Sequence, residues 1–212
     1  MTRGRFITFE GGEGAGKSTQ IRLLAQRLAG RGEVVTTREP GGSPGAEAIR
    51  GLLVTGAVER WSPISETLLM YAARRDHIER VIAPALERGA WVLCDRFYDS
   101  TRAYQGAAGG APASLVKALE ADVVGAVIPD LTLILDLPVA AGLARAAARG
   151  EGEGRFEAKG TAFHEALRQA FLDIAAAEPG RCEVIDADQS VEDIAEQIDA
   201  VLAQRWGEPR HG

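Results

Sequence analysis

The chain is short of the residues that build disulfide frameworks and soft-metal clusters. It holds two cysteines and three histidines in 212 residues. Cys94 and Cys182 each sit in an apolar run that reads as a strand, so both are expected to be buried and reduced. His77, His164 and His211 are scattered and are expected to be structural or exposed. No apolar run approaches the roughly 20 residues of a membrane-spanning helix, which removes a membrane partner. The net charge is −6, so no global basic footprint marks a nucleic-acid binder, although a local positive cleft remains possible. Met1–Arg5 leads straight into a strand without a signal-peptide pattern, and a cytoplasmic protein is expected. Hydrophobic residues make up 46% and charged ones 25%, which excludes a disordered chain. Neither an internal repeat nor a linker appears, so 1–212 is read as one domain.

What the chain does contain is Gly11-Gly12-Glu13-Gly14-Ala15-Gly16-Lys17-Ser18-Thr19, the spacing G-x-x-x-x-G-K-S. Arg5–Glu10 before it reads as a strand. Ile21, Leu24, Ala25 and Leu28 after it lie at helical spacing. In this context the glycines turn backbone N–H groups onto an anion, the lysine reaches the β- and γ-phosphates, and the serine hydroxyl holds Mg²⁺. The helix N-terminus adds its positive end. The stretch therefore points to a nucleoside triphosphate.

Further strands are read at 33–37, 90–94, 131–137 and 182–186, separated by helices at about 46–54, 65–86, 102–125, 139–149, a stretch from Phe163 to Ile174, and a last helix from Ser190. Pro84 is a potential break in the second of these, and Gly109, Gly110 and Pro112 interrupt the third. Gly150–Gly154 contains only glycine and glutamate and is read as an exposed, mobile segment. Alternating strands and helices imply a parallel sheet covered on both faces. Right-handed crossovers then collect all strand C-terminal ends on one edge, where ligands bind. The phosphate loop, Arg38–Gly45 and Asp95–Thr101 should meet there.

The chain has no Asn-Lys-x-Asp, which a guanine-reading GTPase needs. Asp95 is followed by Arg96 and not by a second acid that would align a water. Arg38, Arg74, Arg145, Arg149 and Arg155 are further arginines near the same edge or flanking the glycine–glutamate segment. Arg75, Arg80 and Arg102 are read as solvated charge. Guanidinium forks bind phosphate bidentately, so this surplus suits an acceptor that is itself a phosphate. Such an acceptor is already ionised near neutral pH and needs no general base. A hydroxyl acceptor would need one, and Asp95 is the candidate. Glu13 is repelled by a triphosphate and should turn toward a sugar hydroxyl of the acceptor. The loop's variable positions hold no arginine, which makes the segment with Arg149 and Arg155 the candidate lid.

Phe9–Thr19, Thr37–Gly42, Asp95-Arg96-Phe97 with Ser100-Thr101, and Ala103-Tyr104-Gln105-Gly106 keep one order along the chain. With Pro129–Thr132, Leu135-Asp136 and Ile185–Ala187 they resemble bacterial thymidylate kinases, a family of P-loop nucleoside monophosphate kinases. The resemblance implies a three-layer α/β fold: a five-stranded parallel sheet, helices on both faces and a short lid at about 149–160. It implies transfer of the ATP γ-phosphate to dTMP with Mg²⁺, in dTTP synthesis, by a homodimer. By that resemblance Gly11, Gly12, Glu13, Gly14, Ala15, Gly16, Lys17, Ser18 and Thr19 take ATP. Glu13, Arg38, Met70, Arg74, Arg96, Ser100, Thr101, Tyr104 and Gln105 take dTMP. Lys17, Arg96, Arg149, Arg155 and Glu13 are the catalytic candidates, and Ser18 and Asp95 the metal ligands. Met70 stands where the family commonly has a phenylalanine stacked on thymine. Another P-loop kinase of monophosphates, or a nucleotide-binding switch without transfer, are the alternative readings.

Overall fold

The computed structural model describes residues 3–149, 154–157 and 159–207, the side chains of Arg149 and Glu157 excepted. Expectations for Glu151, Glu153, the Arg149 side chain and His211 therefore lie outside the described residues.

Five parallel strands form the sheet: β1 (Arg5–Glu10), β2 (Val34–Arg38), β3 (Trp91–Asp95), β4 (Leu131–Asp136) and β5 (Cys182–Asp186). Their order is β2-β3-β1-β4-β5. Phe9 pairs with Asp95, Arg38 with Asp95, and Asp136 with Asp186, so the C-terminal ends lie level along one edge. β1 is central, which places the loop that follows it in the middle of that edge.

Side chains alternate across the sheet as the pleat requires. Ile7, Phe9, Leu93, Leu133 and Leu135 face α1 (Lys17–Leu28) and α10 (Val191–Trp206), meeting Leu24, Leu28, Ile194 and Ile198. Phe6, Val92 and Cys94 face the opposite way, onto Tyr71 of α3 (Pro63–His77) and onto Ile78 and Ile82. Ile134 continues that side with Leu167 and Phe171 of α9 (Thr161–Ala177). The result is three layers, helix–sheet–helix. Cys94 and Cys182 are both buried and free.

The long helix expected at 65–86 is one rod with a register change. α3 passes through a π-turn at Ile78–Ile82 into α4 (Ala83–Glu87). Ala83 N–H reaches back five residues to Ile78, and Pro84, which has no N–H to offer, enters in the next turn. Ser62 caps the start, accepting from Ser65 N–H, and Ser190 caps α10 by accepting from Asp193 N–H. The stretch after β3 is a short helix, α5 (Tyr98–Thr101), running into a π-turn at Arg102–Ala107. α6 (Ala113–Leu119) follows beyond Gly109 and Gly110. The remaining helices are α2 (Pro44–Val54), α7 (Val139–Arg149) and α8 (Gly154–Glu157). Arg102 is not solvated charge as the sequence suggested. It is half-buried and bonded to Asp99, Glu120 and Glu178, which anchors the helix after β3.

Candidate active site

The loop Gly11–Gly16 joins β1 to α1. Gly11, Gly14 and Gly16 have φ of +129°, +72° and +89°, a region closed to most side chains. Gly14 is restricted a second way: a Cβ there would lie 2.1 Å from the carbonyl oxygen of Gly142 in α7. A Cβ on Gly142 would in turn lie 2.5 Å from the Glu13 carbonyl oxygen. Lys17 Nζ donates to the carbonyls of Gly11 (3.3 Å) and Gly12 (2.9 Å). Burial, and the nearby positive charge of Arg96, lower its pKa. Above the loop opens a cleft of about 380 Å³, walled by Gly14–Ser18, Arg38, Asp95 and Arg96 among others.

Arg96 begins the turn after β3 at φ +68°, the only positive φ outside glycine among the described residues. Its surroundings over-determine that conformation. Arg96 N–H donates to Phe9 O (2.9 Å), and Arg96 O accepts from Cys94 Sγ (3.0 Å). One residue on, the fully buried Glu10 carboxylate accepts from Phe97 N–H (2.7 Å), Ser100 N–H (3.2 Å) and Ser100 Oγ (2.5 Å). Burial, and the charge of Asp99, push the Glu10 pKa up to about 7 despite these donors and Arg96.

The Arg96 guanidinium donates to Gly11 O (3.0 Å), Ser100 Oγ (3.2 Å) and Glu13 Oε1 (2.9 Å), and lies 4.9 Å over the Tyr104 ring. Tyr104 Oη donates to the same Glu13 oxygen at 2.8 Å. Burial would raise the Glu13 pKa, but Arg96, Lys17 and the Tyr104 hydroxyl outweigh it and hold it at about 2. Glu13 thus turns away from the loop's interior, toward Arg96 and Tyr104.

Behind this cluster is a second, narrower pocket lined by Met70, Arg74, Thr101, Tyr104, Gln105 and Phe156 among others. Arg74 is 2% exposed. Its Nε donates to Glu39 Oε2 (2.8 Å), and Nη2 donates to Phe97 O and Thr101 Oγ1, each at 3.0 Å. Its Nη1 is buried and has no partner within the described residues. Glu39 is itself held by His77 Nδ1 (2.9 Å), whose Nε2 is bonded to Thr37 Oγ1 (2.7 Å). An unpaired buried donor is costly, and a ligand oxygen in the pocket would satisfy it.

Other candidates are placed elsewhere. Arg38 sits at the cleft but pairs with Glu47 and is largely exposed. Arg145 donates to Ala187 O and pairs with Asp188. Arg155, expected as a lid arginine, is held away from the loop in this structure. Its guanidinium donates to the carbonyls of Ala57 (3.1 Å), Leu53 (3.1 Å) and Val58 (2.9 Å), and pairs with Glu66 at 2.5 Å. Every nitrogen is occupied and the side chain is buried, so it is not a free charge over the loop. Sequence reasoning passed over Glu39, Glu66 and Arg50, and gave Glu10 no role of its own. Arg50 lies in the cleft wall and donates to Pro40 O. Only Glu39 and Glu10 fall within short recognisable strings; the other two lie on helices with no local signal.

Phosphate loop and five-stranded parallel sheet define an α/β protein of the P-loop kinase fold, with two pockets at the loop. A family model described as thymidylate kinase matches residues 9–198. A thymidylate kinase of Caulobacter vibrioides is 67% identical over 208 residues, covering 98% of this chain and all of the relative. One from Afipia carboxidovorans is 56% identical, covering 96% of this chain and 90% of the relative. The crystal structure of thymidylate kinase from Ehrlichia chaffeensis superposes with a TM-score of 0.77 at 35% identity, covering 94% of this chain and 99% of that one. The chain belongs to the thymidylate kinase family, and is by that membership a transferase of the nucleoside monophosphate kinase class.

Proposed function

We propose that the chain transfers the γ-phosphoryl group of ATP to the phosphate of dTMP, giving ADP and dTDP. The observation that carries this reading is the buried orphan donor Nη1 of Arg74, a residue that lines a pocket adjoining the phosphate loop across the Glu13–Arg96 pair. In this reading the pyrimidine enters that pocket over Met70 and offers a carbonyl oxygen to Arg74. The ATP phosphates lie in the open cleft on Gly11–Thr19, with Lys17 neutralising charge on the transferred group. Arg96 lies between the two sites, where it meets the acceptor phosphate and the transferring phosphoryl, with Arg38 at the same cleft. Glu13 and Tyr104 face the acceptor sugar. Transfer is in-line and needs no protein base, because the attacking oxygen is a phosphate oxygen.

Ser18 and Asp95 both line the cleft and offer hydroxyl and carboxylate oxygens, a donor set that suits Mg²⁺. A bound Mg²⁺ held there would supply positive charge against the negative charge that develops during transfer. Among the described residues no cluster of three acidic, histidine or cysteine side chains could hold a metal ion. No helix among the described residues is long and apolar enough to cross a membrane, and we read a cytoplasmic enzyme. We also read one domain over 1–212 and a homodimer.

The test is an acceptor panel. Purified protein with ATP and Mg²⁺ should release ADP fastest with dTMP, compared with dUMP, dCMP, UMP and AMP. Faster turnover with another monophosphate would overturn the acceptor. ADP release that never exceeds background would overturn transfer altogether.

A further inference from the structure

Arg155 engages all three of its guanidinium nitrogens inside the protein, and the far end of that arrangement reaches the acceptor pocket. Glu66 is 5% exposed and divides its two oxygens. Oε2 takes Arg155 Nη1 at 2.5 Å, and Oε1 accepts from Gln105 Nε2 at 2.8 Å. The three carbonyls of 53–58 fix the other faces of the guanidinium, which also lies 5.3 Å over the Phe156 ring. Phe156 in turn meets the Tyr104 ring edge-on at 5.7 Å and lines the pocket. Glu66 and Arg155 touch no part of the phosphate loop in this arrangement, and the catalytic scheme above uses neither.

The chemistry of this chain of contacts is one-directional. A guanidinium only donates, so Glu66, as its ion partner, only accepts. The Gln105 amide therefore has to turn its nitrogen toward Glu66, and Oε1 is the amide atom left for a ligand in the pocket. Without Glu66 the two ends of the amide would be interchangeable. The pocket then presents an acceptor at Gln105 beside the donor Arg74 Nη1. That pattern complements the edge of a pyrimidine carrying a carbonyl oxygen next to a protonated ring nitrogen, as in thymine or uracil. Cytosine presents the reverse, an amino donor next to an unprotonated nitrogen.

We propose that Arg155 and Glu66 are positioning residues that fix the orientation of the Gln105 amide and so set the pocket's preference for thymine over cytosine. The inference rests on the dTMP reading of the pocket. It assigns Arg155 to base selection and removes it from phosphoryl transfer.

Steady-state kinetics with dTMP and dCMP as acceptors test it, on the full chain with ATP and Mg²⁺. Glu66→Gln gives Gln105 a partner that can donate or accept, and Arg155→Met removes the charge that keeps Glu66 an acceptor. Each should lower the dTMP-to-dCMP ratio of kcat/KM by about tenfold, the value of one hydrogen bond, through KM and with kcat within about threefold. The double variant should lose no more than the larger single effect, because both act through one amide. Arg155→Lys, which keeps a cation opposite Glu66, should hold the ratio within about threefold of wild type. If the buried-pair variants do not fold, Gln105→Leu decides: it must lower the ratio as well. A kcat loss of about 10³ for Arg155→Met with KM unmoved would return Arg155 to the transferring phosphoryl and overturn the proposal. A raised KM with an unchanged ratio would overturn it in favour of simple wall packing. A wild type that ignores dTMP refutes the acceptor reading and this inference with it. A wild type that prefers dTMP while the variants keep its ratio refutes this inference alone.

Discussion

Glu10 offers the sharpest test of how this edge of the sheet is held. Its carboxyl group is fully buried at the end of β1 and braces the turn that carries Arg96, through Phe97 N–H and Ser100. Burial first, and Asp99 second, raise its pKa from 4.5 to about 7. The folded protein therefore binds more protons than the unfolded chain between those values. The contribution of Glu10 to stability is fully present below about pH 4.5 and is lost as pH rises through 7. At 1.36 kcal/mol per tenfold change in proton affinity, the loss is about 3 kcal/mol. Glu10→Gln abolishes the titration. Its amide oxygen can still accept from Phe97 and Ser100 N–H, and its nitrogen can donate to Ser100 Oγ, which rotates to receive it. Urea unfolding of both proteins from pH 5 to 8.5 isolates the effect, since every other titrating group cancels in the difference. The variant should gain on the wild type as pH rises, by about 3 kcal/mol over the full titration and somewhat less from pH 5 upward. A difference that stays flat would show that the three donors and Arg96 balance the burial. A difference of opposite sign would show that they exceed it, and that the turn is held by a charged Glu10.

The same linkage runs the other way at Glu13, whose pKa is held at about 2. Its stabilisation is present above the ordinary 4.5 and lost as pH falls toward 2, so Glu13→Gln should remove about 3 kcal/mol of acid sensitivity in unfolding curves between pH 5 and 2. Lys17→Ala should cut kcat by ~10²–10³ or more while dTMP affinity by calorimetry stays within about threefold. An unaffected rate would refute the loop assignment. Gly142→Ala places a Cβ 2.5 Å from the Glu13 carbonyl oxygen, and should cost about 1–3 kcal/mol by thermal unfolding and raise the KM for ATP. Wild-type behaviour in both would mean that the loop and α7 do not pack as described.

The parts of the site that were legible in the sequence are those that a parallel sheet brings together by itself. Gly11–Thr19, Arg38 and Asp95–Thr101 each follow directly on a strand, and strand ends in such a sheet share an edge. The strand limits came within a residue or two of the observed ones; β2 and β3 each start and end one residue later than the patterning suggests. The parts that were not legible depend on how helices are turned. The resemblance singles out Arg74 over Arg75, but the reason lies in the packing of α3: Arg74 lies over the Tyr71 and Phe97 rings, while Arg75 points out to Glu79. Arg102 reads as a surface charge until the acids at 99, 120 and 178, far apart in the chain, close around it. Arg155 could be placed by neither motif nor period, because its partners come from 53–58 and from Glu66, nearly a hundred residues earlier.

Arg155's position changes the electrostatic account of transfer. Two phosphate-bearing substrates must meet, and their mutual repulsion must be offset by charge that the protein has not already committed. Arg155 faces Glu66, and Arg74 faces Glu39, so neither leaves a full positive charge for phosphate. Arg96 is shared with Glu13, on an edge where Lys17 is hydrogen-bonded, among the described residues, to the neutral carbonyls of Gly11 and Gly12. The Glu13–Arg96 pair is 19% and 13% exposed, and Glu13 also takes the Tyr104 hydroxyl. An acceptor sugar hydroxyl donating to Glu13 would compete with both of those donors and turn the guanidinium toward the phosphates. On that argument acceptor binding itself frees the charge that the chemistry needs. Glu13→Gln, which loosens Arg96 beforehand, should then weaken the dependence of ATP turnover on acceptor: acceptor-free ADP release should rise relative to wild type while dTMP-dependent kcat falls. Both rates unchanged would mean that Arg96 is not held in check by Glu13.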